Sequence, residues 1–280
     1  MPELPEVETI VRGLAPRLEG AELGRARLLF PPLLRRPSGP GLAVIEGKRV
    51  LGVRRRGKMI LISCEGGWTL VFHLKMTGQL LLAGPAVTVD KHTRLIIPLP
   101  GRGLELRFRD VRKFGFLCCL GPGPACSAPE LDGLGPEPLE TSRAAFAGRY
   151  RGRKGRIKSL LLDQGVVAGI GNIYADEILF RARIHPLTPA AALDDAMLGR
   201  LWRSTRAVLR RAIDRKGSTI RDFTDPDGEP GDFQSLHKVY GREGEACLAC
   251  GTPVRRIRVG GRSTFFCPNC QRKSRRRLSL

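Results

Sequence analysis

The sequence predicts an α+β protein: an N-terminal helix with an antiparallel β-sandwich domain, then a mainly helical domain that ends in a four-cysteine β-hairpin. Three observations predict it. Apolar residues recur at helical spacing in the first 20 positions, short β-branched runs broken by glycine and proline follow to about residue 117, and helical spacing returns beyond a proline-rich stretch. A length of 280 residues lies beyond the usual single-core size and agrees with two domains.

The chain opens "MPELPEVETI". Val7, Ile10, Val11, Leu14 and Leu18 fall three or four apart and Gly20 follows, so residues 5–19 form an amphipathic helix. From 21 to 117, runs such as "RVLGVRRRGKMILISCEGGWTLVFHLKMTGQLLL" and "RLIIPLPGRGLELRFRDVRKFGFLCCL" are antiparallel strands, with Gly66-Gly67 and Pro100-Gly101 as hairpin turns. Residues 121–138, "GPGPACSAPELDGLGPEP", hold four Gly and five Pro, which resist both helix and strand and mark a linker. Helical spacing then returns at Ile157, Leu160 and Leu161, at Ile173 to Arg183, and from Leu193 to about Arg215 with Met197, Leu201, Val208 and Ile213. The expected domains are 1–120, the linker 121–138, a helical domain over 139–240 and a terminal finger over 241–280.

Charge narrows the partners. Forty-eight Lys and Arg against 27 Asp and Glu give +21, which favours a polyanion as ligand. A membrane span is excluded: the uncharged run from Phe114 to Pro129 is short and broken by Pro122, Pro124 and Pro129. The start is acidic and lacks the basic and apolar regions of a signal peptide, so a cytoplasmic protein is expected. With 42% hydrophobic residues the chain has enough apolar surface for packed domains.

Cysteines divide into two groups. Cys64, Cys118, Cys119 and Cys126 have no ligand-like spacing and are expected as small buried hydrophobes. Cys247-x2-Cys250 and Cys267-x2-Cys270, with 16 residues between the pairs, have the spacing of two knuckles that present four thiolates to one structural zinc. A pair of redox C-x-x-C sites would need a flanking βαβ pattern, and none is present. Between the knuckles, "GTPVRRIRVGGRSTFF" forms a hairpin turning at Gly260-Gly261, with Arg262 just past the turn. From Cys247 onward there are nine Lys or Arg and no acidic residue, as expected of a phosphate-gripping finger.

Two further groups carry chemistry. "GIGNIYADE" puts Gly169 and Gly171 in a tight turn before Asn172, which is expected to cap a helix whose amides cradle a phosphate. No G-x-x-x-x-G-K-[ST] occurs, so this is not a nucleoside triphosphate site. In the β domain, "RRRGKMILI" presents Lys58 and "FRDVRKFGF" presents Arg112, Lys113 and Phe114, where a cation beside an aromatic suits a reader that fills a gap in a base stack. Taken alone, Met76, His73 and His92 read as core or structurally satisfied residues, and Pro2 and Pro5 as helix-start prolines.

Together, "MPELPEVET", "HLKMTG", "RDVRKFG", "GIGNIYADEILFRARIHP", "VYGREGEAC" and "GRSTFFCPNCQ" occur in the order and spacing of the bacterial formamidopyrimidine-DNA glycosylases. The chain resembles that family over essentially its whole length. The resemblance implies a helix-two-turn-helix motif in the helical domain and a monomeric bifunctional repair enzyme of the bacterial cytoplasm and nucleoid, acting on damaged double-stranded DNA. It would excise oxidised purines such as 8-oxoguanine and formamidopyrimidines and cut the abasic site by β,δ-elimination. Pro2, freed of Met1, would attack C1′ and form an iminium, with Glu3 as acid/base group, Lys58 for β-elimination and Arg262 for δ-elimination. Glu6 would help shape the pocket. Met76, Arg112 and Phe114 would fill the void left by the flipped base. His92, Lys154, Lys158 and Asn172 would contact the DNA backbone, and "KGSTIRDFTDPDGEPGDF" would close over the flipped base. One departure stands out: the family often has Asp-Pro-Arg-Arg-Phe-Gly where Lys113 here replaces the second arginine, keeping charge but losing bidentate geometry. The rival within the superfamily is an endonuclease VIII-type glycosylase for oxidised pyrimidines, whose opening usually runs Pro-Glu-Gly-Pro-Glu rather than Pro2-Glu3-Leu4-Pro5-Glu6. A non-catalytic DNA-binding module is the rival of another class, and intact Pro2, Glu3 and Lys58 argue against it.

Overall fold

The computed structural model describes residues 1–35, 41–123 and 129–273; Cys126, linker positions 124–128 and most of the basic tail "RKSRRR" lie outside the described residues. The chain divides into two compact units, one of Met1–Asp132 with Arg215–Gln234, the other of Gly133–Asp214 with Ser235–Leu280.

In the first unit, helix α1 (Leu4–Leu18) starts at the capping residue Glu3, with Pro5 in its first turn. Among the described residues nine strands follow: β1 (Arg27–Leu28), β2 (Leu34–Arg35), β3 (Val50–Arg56), β4 (Met59–Cys64), β5 (Trp68–His73), β6 (Gly78–Ala83), β7 (Thr93–Leu99), β8 (Leu104–Asp110) and β9 (Phe116–Leu120). They form a sandwich of a four-stranded sheet, β1-β7-β8-β6, and a five-stranded sheet, β2-β9-β5-β4-β3. Among the described residues the pairings are antiparallel except the short β2–β9 ladder, which is parallel.

Strand alternation fills the space between the sheets. Ile60 and Ile62, Leu70 and Phe72 and Leu117 and Cys119 meet Leu80, Leu95, Ile97, Leu106 and Phe108, and the apolar face of α1 (Val7, Ile10, Leu14, Leu18) joins the same core. Phe72 and Phe108 stack across it with ring centroids 5.9 Å apart. Both expected hairpin turns are present, with Gly66 and Gly67 at φ +73° and +78° and Gly101 at +77°. Cys64, Cys118 and Cys119 are buried, and burial pushes the Cys64 and Cys118 thiols up to about 11, the behaviour of inert core sulfur.

The proline-rich linker is less open than its composition implies. Pro129–Asp132 forms one helical turn, α2, and the second half of the linker packs in the other unit. There the Gly135 N–H donates to Gln164 O at 2.8 Å, and a Cβ at this position would lie 2.6 Å from Val166 O, so only glycine fits.

The second unit holds α3 (Arg143–Gly148), α4 (Ile157–Leu162), α5 (Asn172–Ala182) and α6 (Asp195–Asp214), then the hairpin β10 (Arg255–Val259) and β11 (Arg262–Phe266). Where the sequence suggested one continuous helical domain over 139–240, the segment after α6 instead packs in the first unit. Its Phe223 enters that unit's core, which no local periodicity announces. Among the described residues no helix is long and apolar enough to cross a membrane.

Candidate functional site

The start of the chain is buried beyond Met1. Pro2 is buried, and Glu3 and Glu6 are only 2% and 1% exposed. Glu6 Oε2 accepts the Glu3 N–H at 2.8 Å, closing the capping box, while its Oε1 accepts the Ser218 N–H at 2.7 Å. Gly217 adjoins that carboxylate at φ +76°, and a Cβ there would sit 2.6 Å from Glu6 Oε1. Glu6, expected only to shape the pocket, therefore fastens the segment 215–234 to the first turn of α1. Met1 caps Pro2 with an amide and is itself exposed; without it, Pro2 would carry a secondary amine.

Lys58 lies in the tight turn between β3 and β4, 8% exposed, after Gly57 at φ +56°. One guanidinium joins that turn to α1: Arg55 Nε donates to Glu8 Oε2 at 3.0 Å, and Nη1 donates to Gly57 O at 3.1 Å. Sequence reasoning passed over Arg55 as one of three arginines. Facing the turn, His73 pairs with Met59 across β4–β5, and its pKa is pressed down to about 3, first by burial and then by the charges of Lys75, Lys58 and Arg35. It stays neutral and its Nδ1 accepts the Lys75 N–H at 2.9 Å, the structurally satisfied histidine expected.

Met76, Arg112 and Phe114 converge. Met76 and Phe114 are 44% and 51% exposed, Arg112 Nη1 lies 3.0 Å from Met76 Sδ, and its guanidinium carbon lies 4.7 Å from the Phe114 ring centroid. They project from two loops, β5–β6 and β8–β9, held by a residue that the sequence did not single out. Asp110, fully buried, accepts the Thr77 hydroxyl at 2.5 Å and the Arg112 N–H at 3.2 Å on one oxygen and the Gly115 N–H at 2.8 Å on the other. Its own N–H donates to His92 O at 2.9 Å, and its carbonyl accepts Arg94 Nε at 2.9 Å, so the His92 loop is tied to the same point. Lys113 takes a left-handed backbone, φ +60°, and its ammonium lies over Phe30 at 5.2 Å, apart from the trio.

The second unit holds the remaining expected residues. Lys154 is exposed with Arg151, Arg153 and Arg156 on the loop between α3 and α4. Arg262 is exposed at the tip of β10–β11, after Gly260 and Gly261 at φ +55° and +76°. Two expectations are corrected. Asn172 is not the helix cap: Gly171 is, and Asn172 Nδ2 donates to Ser263 O at 3.0 Å. Lys158 does not reach a surface where it could touch a phosphate. Its side chain is 0% exposed and its ammonium bonds Asp176 Oδ1 at 2.6 Å and Ser263 O at 3.2 Å, because α4 points it inward against α5.

The four cysteines gather at the base of the hairpin, their sulfurs all within 4.8 Å of one another. Cys247–Cys270 and Cys250–Cys267 lie 4.0 and 3.4 Å apart. Four thiolates at about 2.3 Å from a tetrahedral zinc would be about 3.8 Å apart, so the donor set fits that ion, and the separations are far from a disulfide's ~2 Å. Burial and the neighbouring sulfurs push Cys270 up to about 12 while hydrogen bonds from Thr252 draw Cys250 down to about 5. A dication resolves that crowding by ionising all four. The finger holds one structural zinc, with Cys247, Cys250, Cys267 and Cys270 as ligands.

Family models match the chain in three segments. They are the formamidopyrimidine-DNA glycosylase N-terminal domain over residues 1–117, the formamidopyrimidine-DNA glycosylase H2TH domain over 134–224, and the zinc finger found in FPG and IleRS over 244–272. The formamidopyrimidine-DNA glycosylase of Thermus thermophilus is 48% identical over 276 residues, 97% of this chain and 98% of that one. That of Chloroflexus aurantiacus is 44% identical over 275 residues, 97% and 98% of the two chains. Among solved structures, the MutM (Fpg) protein of Thermus thermophilus superposes with a TM-score of 0.87 at 45% identity, covering 98% of this chain and all of that one. The Lactococcus lactis Fpg bound to DNA containing an abasic site gives 0.88 at 34% identity, covering 97% of this chain and all of that one. A variant of the same protein bound to Fapy-dG-containing DNA gives the same values.

Proposed function

The chain belongs to the formamidopyrimidine-DNA glycosylase family, and from that premise we propose that it is a base-excision repair enzyme. It removes oxidised purines from duplex DNA in the bacterial cytoplasm and then cleaves the abasic site. The observation that carries this reading is the buried Pro2-Glu3 start, fixed by Glu6 and joined through Glu8 and Arg55 to the turn that presents Lys58.

The chemistry follows from those groups. With Met1 gone, the Pro2 nitrogen adds to C1′ as the damaged base departs, and Glu3 moves the protons that sugar opening and base loss require. The resulting iminium is an electron sink. It acidifies C2′–H, so proton loss breaks the C3′–O bond and releases the 3′ phosphate, with Lys58 assisting. A second proton loss, from C4′, breaks the C5′–O bond at the 5′ phosphate, where Arg262 acts. Water then frees Pro2 from the sugar fragment.

Reaching C1′ requires that the nucleotide leave the stack. Phe114 wedges the gap, Arg112 faces the orphaned base and Met76 fills the remaining space. The mutual contacts of the three give them one preset shape. His92, Lys154 and Asn172 hold the backbone, and the basic finger adds phosphate grip. The relatives' solved complexes contain Fapy-dG and abasic-site DNA, which supports both halves of the reaction.

Paired oligonucleotides test the substrate class. Faster excision of 8-oxoguanine and formamidopyrimidine than of thymine glycol is expected; the reverse order would place the chain with the pyrimidine enzymes.

A further inference from the structure

Arg262 stands at the far end of a two-stranded hairpin whose other end is clamped by the metal. Cys267 lies five positions further along extended chain, roughly 17 Å at strand rise. An isolated two-stranded ribbon is marginally stable, so zinc alone cannot fix its tip.

The outer edge of β11 is instead bonded by helix side chains. Ser263 O accepts Lys158 Nζ at 3.2 Å and Asn172 Nδ2 at 3.0 Å, and two residues on the Phe265 N–H donates to Asp176 Oδ2 at 2.9 Å. These are the edge groups that a third strand would pair. Lys158 and Asp176 are joined at 2.6 Å, and both side chains are 0% exposed. Burial raises the Asp176 pKa while the Lys158 ammonium opposes it. The neighbouring Glu177 accepts the N–H groups of Lys238, Val239 and Tyr240 at 2.9 to 3.0 Å, so two consecutive acids on α5 hold both the approach to the finger and its hairpin.

A buried ion pair is a costly way to gain stability, since a well-packed apolar pair of similar volume often does as well. Its usefulness here is position: the pair fixes the two peptides on either side of Thr264, the first beginning one residue beyond Arg262.

We propose that Asp176 and Lys158 are positioning residues for Arg262, setting how far the reaction proceeds from β- to δ-elimination. The proposal rests on the role given to Arg262 above. It assigns the pair no contact with DNA and no part in base release.

The test is the ratio of δ- to β-elimination products on 8-oxoguanine duplex, with borohydride trapping and zinc content measured on the same samples. Asp176→Asn keeps an acceptor for Phe265 but discharges the pair. It is expected to lower the δ:β ratio about tenfold or more, as a misplacement near 1 Å does elsewhere, while trapping and one zinc per chain are retained. Partial unfolding would lower all products in parallel and leave the ratio unmoved. If Asp176→Asn loses zinc or fails to fold because Lys158 is left buried and unpaired, the double variant Asp176→Asn/Lys158→Met, which removes that charge, is read by the same ratio. A wild-type ratio in the folded variant overturns the proposal. Arg262→Ala separates the two claims. If it leaves the ratio unchanged, the role of Arg262 falls and the inference with it; if it shifts the ratio and the Asp176 variants do not, only the inference falls.

Discussion

Asp110 is placed so that its two carboxylate oxygens bond the β5–β6 and β8–β9 loops while its backbone N–H and C=O bond His92 and Arg94 at the start of β7. Hydrogen bonds to a buried charged group contribute about 1.5–3 kcal/mol each, and they are coupled here through one side chain. Asp110→Asn turns one acceptor into a donor facing a backbone N–H. It is expected to destabilise the first unit by about 2 kcal/mol and to lower excision from duplex DNA, where the void must be filled. Trapping on a single-stranded abasic oligonucleotide should stay near wild type. Denaturant unfolding and paired assays check this, and unchanged duplex excision would show that the trio needs no such anchor. The neighbours of Asp110 were legible in the sequence because a cation beside an aromatic is a chemical signal. Asp110 was not: a buried aspartate at a strand end looks like any turn aspartate until its partners from residues 77, 92 and 94 are brought to it. Lys158 shows the opposite limit: the resemblance implied a DNA-backbone contact, and only its packing shows a fully buried ammonium paired with Asp176.

At the level of elements, α1, the two glycine hairpins, α4 to α6 and the finger hairpin follow from local spacing, and the structure contains each. What local spacing cannot reveal is return to a distant partner. The parallel β2–β9 pair, the packed second half of the linker and the segment 215–234 all depend on contacts far apart in sequence. That segment closes at a neck where the Phe233 N–H donates to Gly217 O at 2.9 Å, and a Cβ on Gly231 would lie 2.3 Å from the same oxygen. Beyond the neck, Gln79 Nε2 donates to Asp222 O at 2.6 Å and Arg17 makes a two-pronged pair with Asp227. Gly217→Ala would put a Cβ against Glu6 Oε1 and strain a left-handed backbone. Faster protease cleavage within 215–234 and slower base excision are expected; wild-type rates of both would mean that the neck tolerates a side chain. In the finger, the cation is what lets four crowded cysteines ionise and bind at one point, so removing the metal should unfold it while leaving the β-sandwich transition in place. Metal analysis and thermal unfolding with a chelator check this. A zinc-free protein whose finger stays folded would contradict it.

Across the whole molecule, the +21 charge supplies attraction to the DNA backbone but no chemistry. In the proposed reaction, selectivity and chemistry rest on a few fixed points: the Glu6 clamp, the Arg55 bridge, the Asp110 anchor and the Asp176–Lys158 pair. Each lies beside a group to which the proposal gives a step, and each is buried or shielded, so none is disclosed by composition. The proposed mechanism adds one requirement, that the chain's second residue be its first in the active molecule, because an amide nitrogen has no free lone pair to give to C1′. The most direct measurement is borohydride trapping on 8-oxoguanine duplex with two preparations of the same chain, each verified by intact mass. One is processed to Pro2 and the other keeps Met1 behind an uncleaved extension. The processed protein is expected to become covalently attached to the DNA, and the extended one is not. Equal trapping by both would contradict the account.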